Sequence, residues 1–143
     1  MTVLINYSDF AVGLFCALRL RNLTSLGFRG SGNDWWASMA AAYDKLEELA
    51  FTDNLECDFR IKVHPFHDDS EIAQRCLDFA CSLRLVSTDS HFAIVRWHIS
   101  KRDAEWHLKR MHDRNQIPIK IWDPLAEAFL DRFEHRSPAS PSG

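Results

Sequence analysis

The fold of this chain depends most on residues 91–114, which read HFAIVRWHISKRDAEWHLKRMHDR. The segment 91–99 predicts a strand, in which successive side chains point to opposite faces. One predicted face is apolar along its whole length and consists of Ala93, Val95, Trp97 and Ile99. The other face is apolar at one end only and consists of Phe92, Ile94, Arg96 and His98. This pattern predicts a central strand with helices on one side and solvent or a partner beside Arg96 and His98.

A basic helix is predicted directly after this strand. Ser100 is a favourable N-cap residue, and Asp103 stands at the third helical position of a shortened capping box. Ala104, Leu108 and Met111 share one face at helical spacing. The segment 101–114 holds five Lys or Arg against three Asp or Glu, in a chain whose net charge is −3. Any attraction to an acidic partner or to nucleic acid is therefore expected to be local.

The composition is that of one soluble domain. A length of 143 residues fits a single domain, and a hydrophobic content of 46% is sufficient for a core. The four cysteines include no CxxC pair and lie among apolar neighbours, which predicts buried, reduced thiols. The apolar run 10–18 is too short to span a membrane and follows an acid rather than basic residues. We therefore expect a cytoplasmic protein without a membrane segment.

Helices and strands alternate along the rest of the chain. Helices are predicted over 34–51, from the acidic turn at 67–70 to about Leu85, and from Asp123-Pro124 onwards. Strands are predicted over 55–63, where apolar and polar residues alternate, and over 117–121, where Pro118 indicates an edge position. Residues 2–7 fit a short strand or a lead-in to a helix. Residues 9–22 fit a helix capped by Ser8 or Asp9, or a strand.

These elements predict an α+β fold. We expect a single globular domain over residues 1–136, with a three- to four-stranded sheet packed against about four to five helices. If the strands 55–63 and 91–99 are neighbours, they are expected to be parallel, with a right-handed crossover. The segment 137–143, SPASPSG, has nothing to bury and is expected to be a disordered tail.

Aromatic residues suggest a binding function. Five Trp and ten Phe are many large aromatic residues for a chain of this length. The side chains of neighbouring residues on a helix point in different directions, so they cannot all point into the core. Trp35 or Trp106 is therefore expected at the surface, where tryptophan beside charge is typical of interface hot spots. We expect a small interaction protein that binds a macromolecular partner, of the inhibitor, antitoxin, immunity or anti-defence type, more readily than an enzyme. The candidate partner-binding residues are Trp35, Lys62, Arg96, Trp106, Lys109 and Arg110.

The string RDAEWH at 102–107 supports an alternative function. It resembles the motif of the HEPN ribonucleases, in which arginine, a polar residue and three further residues precede histidine. The resemblance implies an all-helical fold and metal-independent RNA cleavage, with Arg102 and His107 as the catalytic pair. His98 is a further candidate, since a histidine near cations can act on phosphodiesters. Under this alternative, the segment Lys101–Arg114 binds nucleic acid. Neither the binding function nor the ribonuclease function requires a metal ion or a cofactor.

Overall fold

The computed structural model describes residues 2–27, 33–61, 71–88 and 94–136. Within these ranges the chain forms five α-helices, one 3-10 helix and five short strands, and the predicted α+β class is confirmed. The helices are α1 (Tyr7–Leu20), α2 (Asn33–Asp53), α3 (Glu71–Ser82), α4 (Lys101–Asn115) and α5 (Trp122–Arg136), with the 3-10 turn at Ile119–Ile121. The strands are β1 (Val3–Ile5), β2 (Ser25–Gly27), β3 (Leu55–Cys57), β4 (Val86–Thr88) and β5 (Ile94–Trp97).

The strands form two small sheets rather than the one that was expected. β1 and β3 pair in parallel, and β2, β5 and β4 form an antiparallel sheet in that order. The strands predicted at 55–63 and 91–99 are therefore not neighbours. The reason is that β2 and β4 occupy the two edges of β5. The presence of sheets also separates this fold from the all-helical architecture that the motif at 102–107 implied.

β5 is the central strand that its sequence predicts. Val95 and Trp97 are buried, whereas Arg96 and His98 are exposed on the opposite face. The Trp97 indole Nε1 donates a hydrogen bond to the Phe15 carbonyl at 2.9 Å, which ties the buried face of the sheet to α1. Residues 91–93 of the predicted strand lie outside the described ranges.

α1 is the central helix of the core. Residues 10–18 are buried without interruption, and the helix packs against α3, α4 and α5. Its cap is Asn6, whose side chain accepts a hydrogen bond from the Asp9 backbone N–H at 2.8 Å; the Asp9 carboxylate accepts from the Asn6 N–H in return. The predicted cap, Ser8 or Asp9, was therefore wrong, because Asp9 is the third residue of a capping box that begins at Asn6.

An aromatic cluster joins α1, α2, α5 and the larger sheet. Trp35 has no exposed surface and packs against Phe15 at 5.9 Å, Trp97 at 6.5 Å and Phe129 at 5.1 Å between ring centroids. The prediction that placed Trp35 on a binding surface was therefore wrong. Helix α2 packs against α5. The side of α2 that faces the core includes Trp35, whereas the neighbouring Trp36 is half-buried.

Two of the strands have no signal in the sequence. Neither β4 nor β2 was predicted from the sequence. Three-residue strands are too short for a periodic pattern, and pairing with β5 defines them. The strand predicted over 55–63 is paired only at Leu55–Cys57, although the buried and exposed alternation continues to Ile61. Residues 62 and 63 lie outside the described ranges.

The segment 117–121 is not the predicted edge strand. Ile119–Ile121 is a 3-10 turn that leads directly into α5, which begins one residue before the predicted Asp123. Gln116 ends α4 in the left-handed conformation at φ 65°, and the Ile121 N–H donates to the Pro118 carbonyl at 3.4 Å. The turn buries Ile117 and Ile121 and leaves Ile119 exposed, so the three isoleucines do not share one face.

Helix α3 also ends earlier than predicted. Its last residue is Ser82, and Arg84 adopts the left-handed conformation at φ 63°. The Leu85 N–H donates to the Ala80 carbonyl at 3.0 Å, which closes the helix end in the manner of a Schellman motif. Leu85 is buried as a result, whereas Leu83, which lies within the helix predicted from the sequence, is 45% exposed.

An ion pair between Arg21 and Asp123 links the end of α1 to the start of α5. Arg21 Nε and Nη2 donate to the two Asp123 carboxylate oxygens at 2.9 and 3.0 Å. The hydrogen bond from Arg21 lowers the pKa of Asp123 below its ordinary value of 3.8. A depressed folded-state pKa stabilises the fold above the unfolded value and loses that effect as the pH falls through the folded value.

The Asp123→Asn variant should therefore be slightly less stable than the parent at pH 7, and the two should converge below about pH 3.8. The difference should be small because the Asp123 side chain is mostly exposed. Urea denaturation between pH 7 and pH 3 tests this. Glu127→Gln is the control, since Glu127 is another acid of α5 near Arg21, at 3.9 Å, which is beyond hydrogen-bond distance. A constant difference between Asp123→Asn and the parent across this range would contradict the assignment.

Candidate binding surface around Trp106

Trp106 stands on the solvent side of α4. The helix begins at Ser100, whose hydroxyl accepts from the Asp103 N–H at 3.1 Å, as predicted. Ala104, Leu108 and Met111 are buried, which confirms the predicted core face. Trp106 points away from them and is 51% exposed, so the expectation of a surface tryptophan is met by Trp106 rather than by Trp35.

Two neighbours on α4 hold the Trp106 ring. The Arg110 guanidinium carbon lies 5.0 Å from the ring centroid, one helical turn further on. The His107 ring meets Trp106 edge to face, with centroids 4.9 Å apart. An exposed cation–π contact contributes about 0.5–1 kcal/mol. Trp106 is therefore a half-exposed ring with two close neighbours on its own helix.

A groove of about 450 Å³ lies on one side of Trp106, between α4 and the turn from α3 into β4. We call it the histidine groove. Its lining residues are Leu83, Arg84, Leu85, His98, Ile99, Asp103, Trp106 and His107. The groove thus combines two exposed apolar side chains, two imidazoles, one guanidinium and one carboxylate.

A second groove of about 400 Å³ lies along α4 on the other side of Trp106. We call it the basic groove. Its lining residues are Trp106, Lys109, Arg110, Asp113 and Arg114. Trp106 therefore separates the two grooves, and Trp106 with both grooves is named the Trp106 surface.

His107 is partly buried at the edge of the histidine groove. Burial lowers its pKa, the Arg110 charge lowers it further, and the Asp103 carboxylate raises it. The net effect is a lower pKa than usual, so the neutral imidazole is favoured at neutral pH. His107 also lines a smaller cavity of about 210 Å³ together with Asp9, Arg110 and Arg114.

His98 is positioned by the sheet. Its backbone N–H donates to the Leu85 carbonyl at 2.9 Å, just beyond the end of β5. Its ring Nε2 lies 2.6 Å from the Ser87 hydroxyl, on the adjacent strand β4. These two hydrogen bonds fix the imidazole at the mouth of the histidine groove.

The structure brings some of the predicted site residues together and separates others. Trp106, Lys109 and Arg110 all line the basic groove, and His98 and His107 both line the histidine groove. Arg102 is exposed but lines neither groove, so the motif at 102–107 is not assembled around either of them.

Two of the remaining predicted residues are placed elsewhere. Arg96 lies on the open face of the larger sheet, opposite Ser25 and Ser87. Arg60, which lies in the predicted strand 55–63, follows β3 of the other sheet and so does not share a sheet face with Arg96 and His98. Lys62 lies outside the described residues.

Sequence reasoning missed Leu83 and Arg84 as members of the surface, whereas Arg114 belongs to the basic segment Lys101–Arg114 that the alternative function assigned to nucleic acid. Arg84 joins it because the left-handed turn after α3 places this residue beside the end of β5, and no sequence pattern marks such a turn at an arginine. Arg114 has a signal, since it lies one turn after Arg110 on the predicted basic helix.

The cysteines do not contribute to the surface. All four are free; Cys16 and Cys76 are buried, and burial raises the pKa of each thiol to about 12. Cys57 is half-buried with a pKa of about 11. Because the thiolate is the reactive form, these thiols are poor nucleophiles at neutral pH.

Comparison with protein-family models, curated proteins and solved structures found no match. Within the described ranges, no group of three or more His, Cys, Asp or Glu residues is arranged to hold a metal ion. Among the described helices, none is long and apolar enough to cross a membrane.

Proposed function

We propose that this chain is an interaction protein that binds a protein partner through the Trp106 surface. The observation that carries the proposal is the half-exposed Trp106 ring, held by Arg110 and flanked by two grooves. Tryptophan and arginine are the residues most enriched among interface hot spots, particularly beside pockets that a partner fills. Inhibitors, antitoxins, immunity proteins and anti-defence proteins act by docking of this kind.

The charge of the surface indicates the chemistry of the partner. Four cationic side chains line the grooves, namely Arg84, Lys109, Arg110 and Arg114. Two carboxylates, Asp103 and Asp113, oppose them. The excess of positive charge favours an acidic partner surface, since complementary potentials increase the association rate and select partners.

A protein partner suits this surface better than nucleic acid does. Leu83 is 45% exposed beside Trp106 in the histidine groove, which gives a partner two apolar contacts. The carboxylates of Asp103 and Asp113 would lie close to any phosphate backbone bound there. The net charge of −3 adds no long-range attraction to a polyanion.

The Trp106→Ala variant should weaken partner binding by about thirtyfold, because truncating a hot-spot anchor costs about 2 kcal/mol or more. The measurement is affinity capture from nuclease-treated lysate of the native host, followed by titration calorimetry with the captured protein. Phe51→Ala is the matched control, since Phe51 is an aromatic residue that is 93% exposed on α2.

A partner captured equally by Trp106→Ala and by the parent would overturn the proposal. It would also be overturned if nuclease treatment abolished every captured species. The expected result is an acidic protein that binds the parent and Phe51→Ala alike, with an affinity that falls as salt rises.

A further inference from the structure

On the basis of the proposed function, we infer that the cavity between α1, α3 and α4 binds the C-terminal residue of the protein partner. The apolar side chain of that residue fills the cavity, and its α-carboxylate binds Arg110 and Arg114. The cavity has a volume of about 210 Å³. Drug-sized ligands occupy pockets of about 300–1,000 Å³, so this cavity suits one small group.

An apolar wall lines the cavity on three elements. Val12 of α1 and Met111 of α4 are each 8% exposed. Phe79 of α3 is partly buried, and Leu83, just after α3, is 45% exposed. An aliphatic side chain that packs against these residues leaves water, and this transfer favours binding. The wall therefore favours a partner residue with a side chain of the size of leucine.

Two guanidiniums line the same cavity. Arg110 and Arg114 lie one helical turn apart on α4, and like charges at this spacing repel each other. Among the described residues, no carboxylate forms an ion pair with either of them. Their charges are therefore available to an anion from another molecule. Arginine is well suited to a carboxylate, which it can bind through two parallel hydrogen bonds.

The other ionisable groups of the cavity leave an excess of positive charge. Asp9 is the one carboxylate among the described residues that line it, and it accepts a hydrogen bond from the Asn6 N–H at 3.4 Å within the capping box of α1. Burial lowers the pKa of His107, so its imidazole adds no charge at neutral pH. Two cations thus oppose one anion, which favours a ligand with a single carboxylate.

The position of the cavity favours a chain terminus over a free small acid. The cavity shares Leu83 and His107 with the histidine groove, and it shares Arg110 and Arg114 with the basic groove. A chain that ends in the cavity therefore continues across the Trp106 surface and makes further contacts there. A C-terminal residue also has its side chain and its carboxylate on the same Cα atom, which suits a cavity of about 210 Å³.

The test measures the affinity of the full chain for short probes by titration calorimetry. The main probe is an N-acetylated tetrapeptide of glycine and serine that ends in leucine with a free carboxylate. Its C-terminal amide lacks the charge, and an isomer with leucine first and glycine last separates the side chain from the carboxylate. The main probe should bind at least about tenfold more tightly than either, since a hydrogen bond to a charged group contributes about 1.5–3 kcal/mol. It should also bind more tightly than isocaproate, a free acid with the same branched end.

The Arg114→Gln variant should bind the main probe about tenfold more weakly than the parent. Arg102→Gln is the matched control because Arg102 is exposed on the same helix and does not line the cavity, and its affinity should equal that of the parent. Far-UV circular dichroism of both variants ensures that a lost affinity is not a lost fold.

Several results would overturn the inference. They are equal binding of the main probe and its amide, tighter binding of isocaproate than of the main probe, and unchanged affinity in Arg114→Gln. Removal of the last residue from the captured partner should also reduce its affinity by at least about tenfold. An unchanged affinity would overturn the C-terminal assignment and leave docking through Trp106 intact. The capture experiment with Trp106→Ala reports on the proposed function separately.

Discussion

Replacing Trp35 with alanine is expected to reduce the free energy of unfolding by about 3–5 kcal/mol. Trp35 has no exposed surface and contacts Phe15, Trp97 and Phe129, so its removal leaves a cavity where α1, α2, α5 and the larger sheet meet. Domains of this size are stable by only about 5–15 kcal/mol. The variant should therefore unfold at a much lower urea concentration than the parent.

Trp106→Ala is the matched control, since it removes the same side chain from an exposed position. Substitutions at such positions usually change stability by less than about 0.5 kcal/mol. Urea denaturation followed by far-UV circular dichroism compares the two variants directly. If the urea concentration at the midpoint of unfolding were the same for Trp35→Ala and the parent, Trp35 would not be part of the buried core. The contrast also matters for binding studies, because loss of binding in Trp35→Ala would report unfolding rather than an interface.

Replacing Gly13 with alanine is expected to reduce the free energy of unfolding by up to about 2 kcal/mol. A Cβ atom at Gly13 would lie 2.3–2.4 Å from three carbons of the Trp122 ring, which is fully buried. Overpacking of this kind costs about 1–3 kcal/mol and sometimes more. The opposing gain is the better helix propensity of alanine, about 1 kcal/mol. The absence of a Cβ atom at Gly13 therefore allows the backbone of α1 to lie close to the Trp122 ring.

A double-mutant cycle with Trp122→Leu tests the cause. Trp122→Leu should itself be destabilising, since it removes a large buried ring, but it also vacates the space beside Gly13. In that background Gly13→Ala should become neutral or stabilising, by up to about 1 kcal/mol. Thermal or urea unfolding of the four proteins gives the coupling energy. Equal costs of Gly13→Ala in both backgrounds would show that contact with Trp122 is not the reason for the glycine.

The sequence was most informative where a local pattern was long enough to read. The alternation at 94–99, the cap at Ser100 and the apolar face of Ala104, Leu108 and Met111 all appear in the structure as predicted. Helix α2 extends the predicted 34–51 by one residue at its start and two at its end. These features depend on hydrogen bonds and side-chain directions within one segment, so the neighbouring residues contain the necessary information.

The sequence could predict one exposed tryptophan, but not which one. Trp35 and Trp106 both lie on helices beside polar residues, and only the packing of α2 against α1, α5 and the larger sheet buries Trp35. Likewise, the 3-10 turn at Ile119–Ile121 and the left-handed Arg84 depend on how the chain must reverse to reach its next element. Contacts between segments that are distant in the chain determine the burial of Trp35 and the conformation of these two turns.

The candidate site also combines features that the local sequence determines with features that only the tertiary structure determines. The sequence by itself determined that α4 is basic and presents its charged side to solvent, because helical periodicity fixes which residues share a face. Only the tertiary structure brought His98, His107, Arg84 and Leu83 to the walls of one groove and left Arg102 outside it. The physical reason is that a groove is formed by elements distant in the chain, and their relative positions depend on the packing of the whole core.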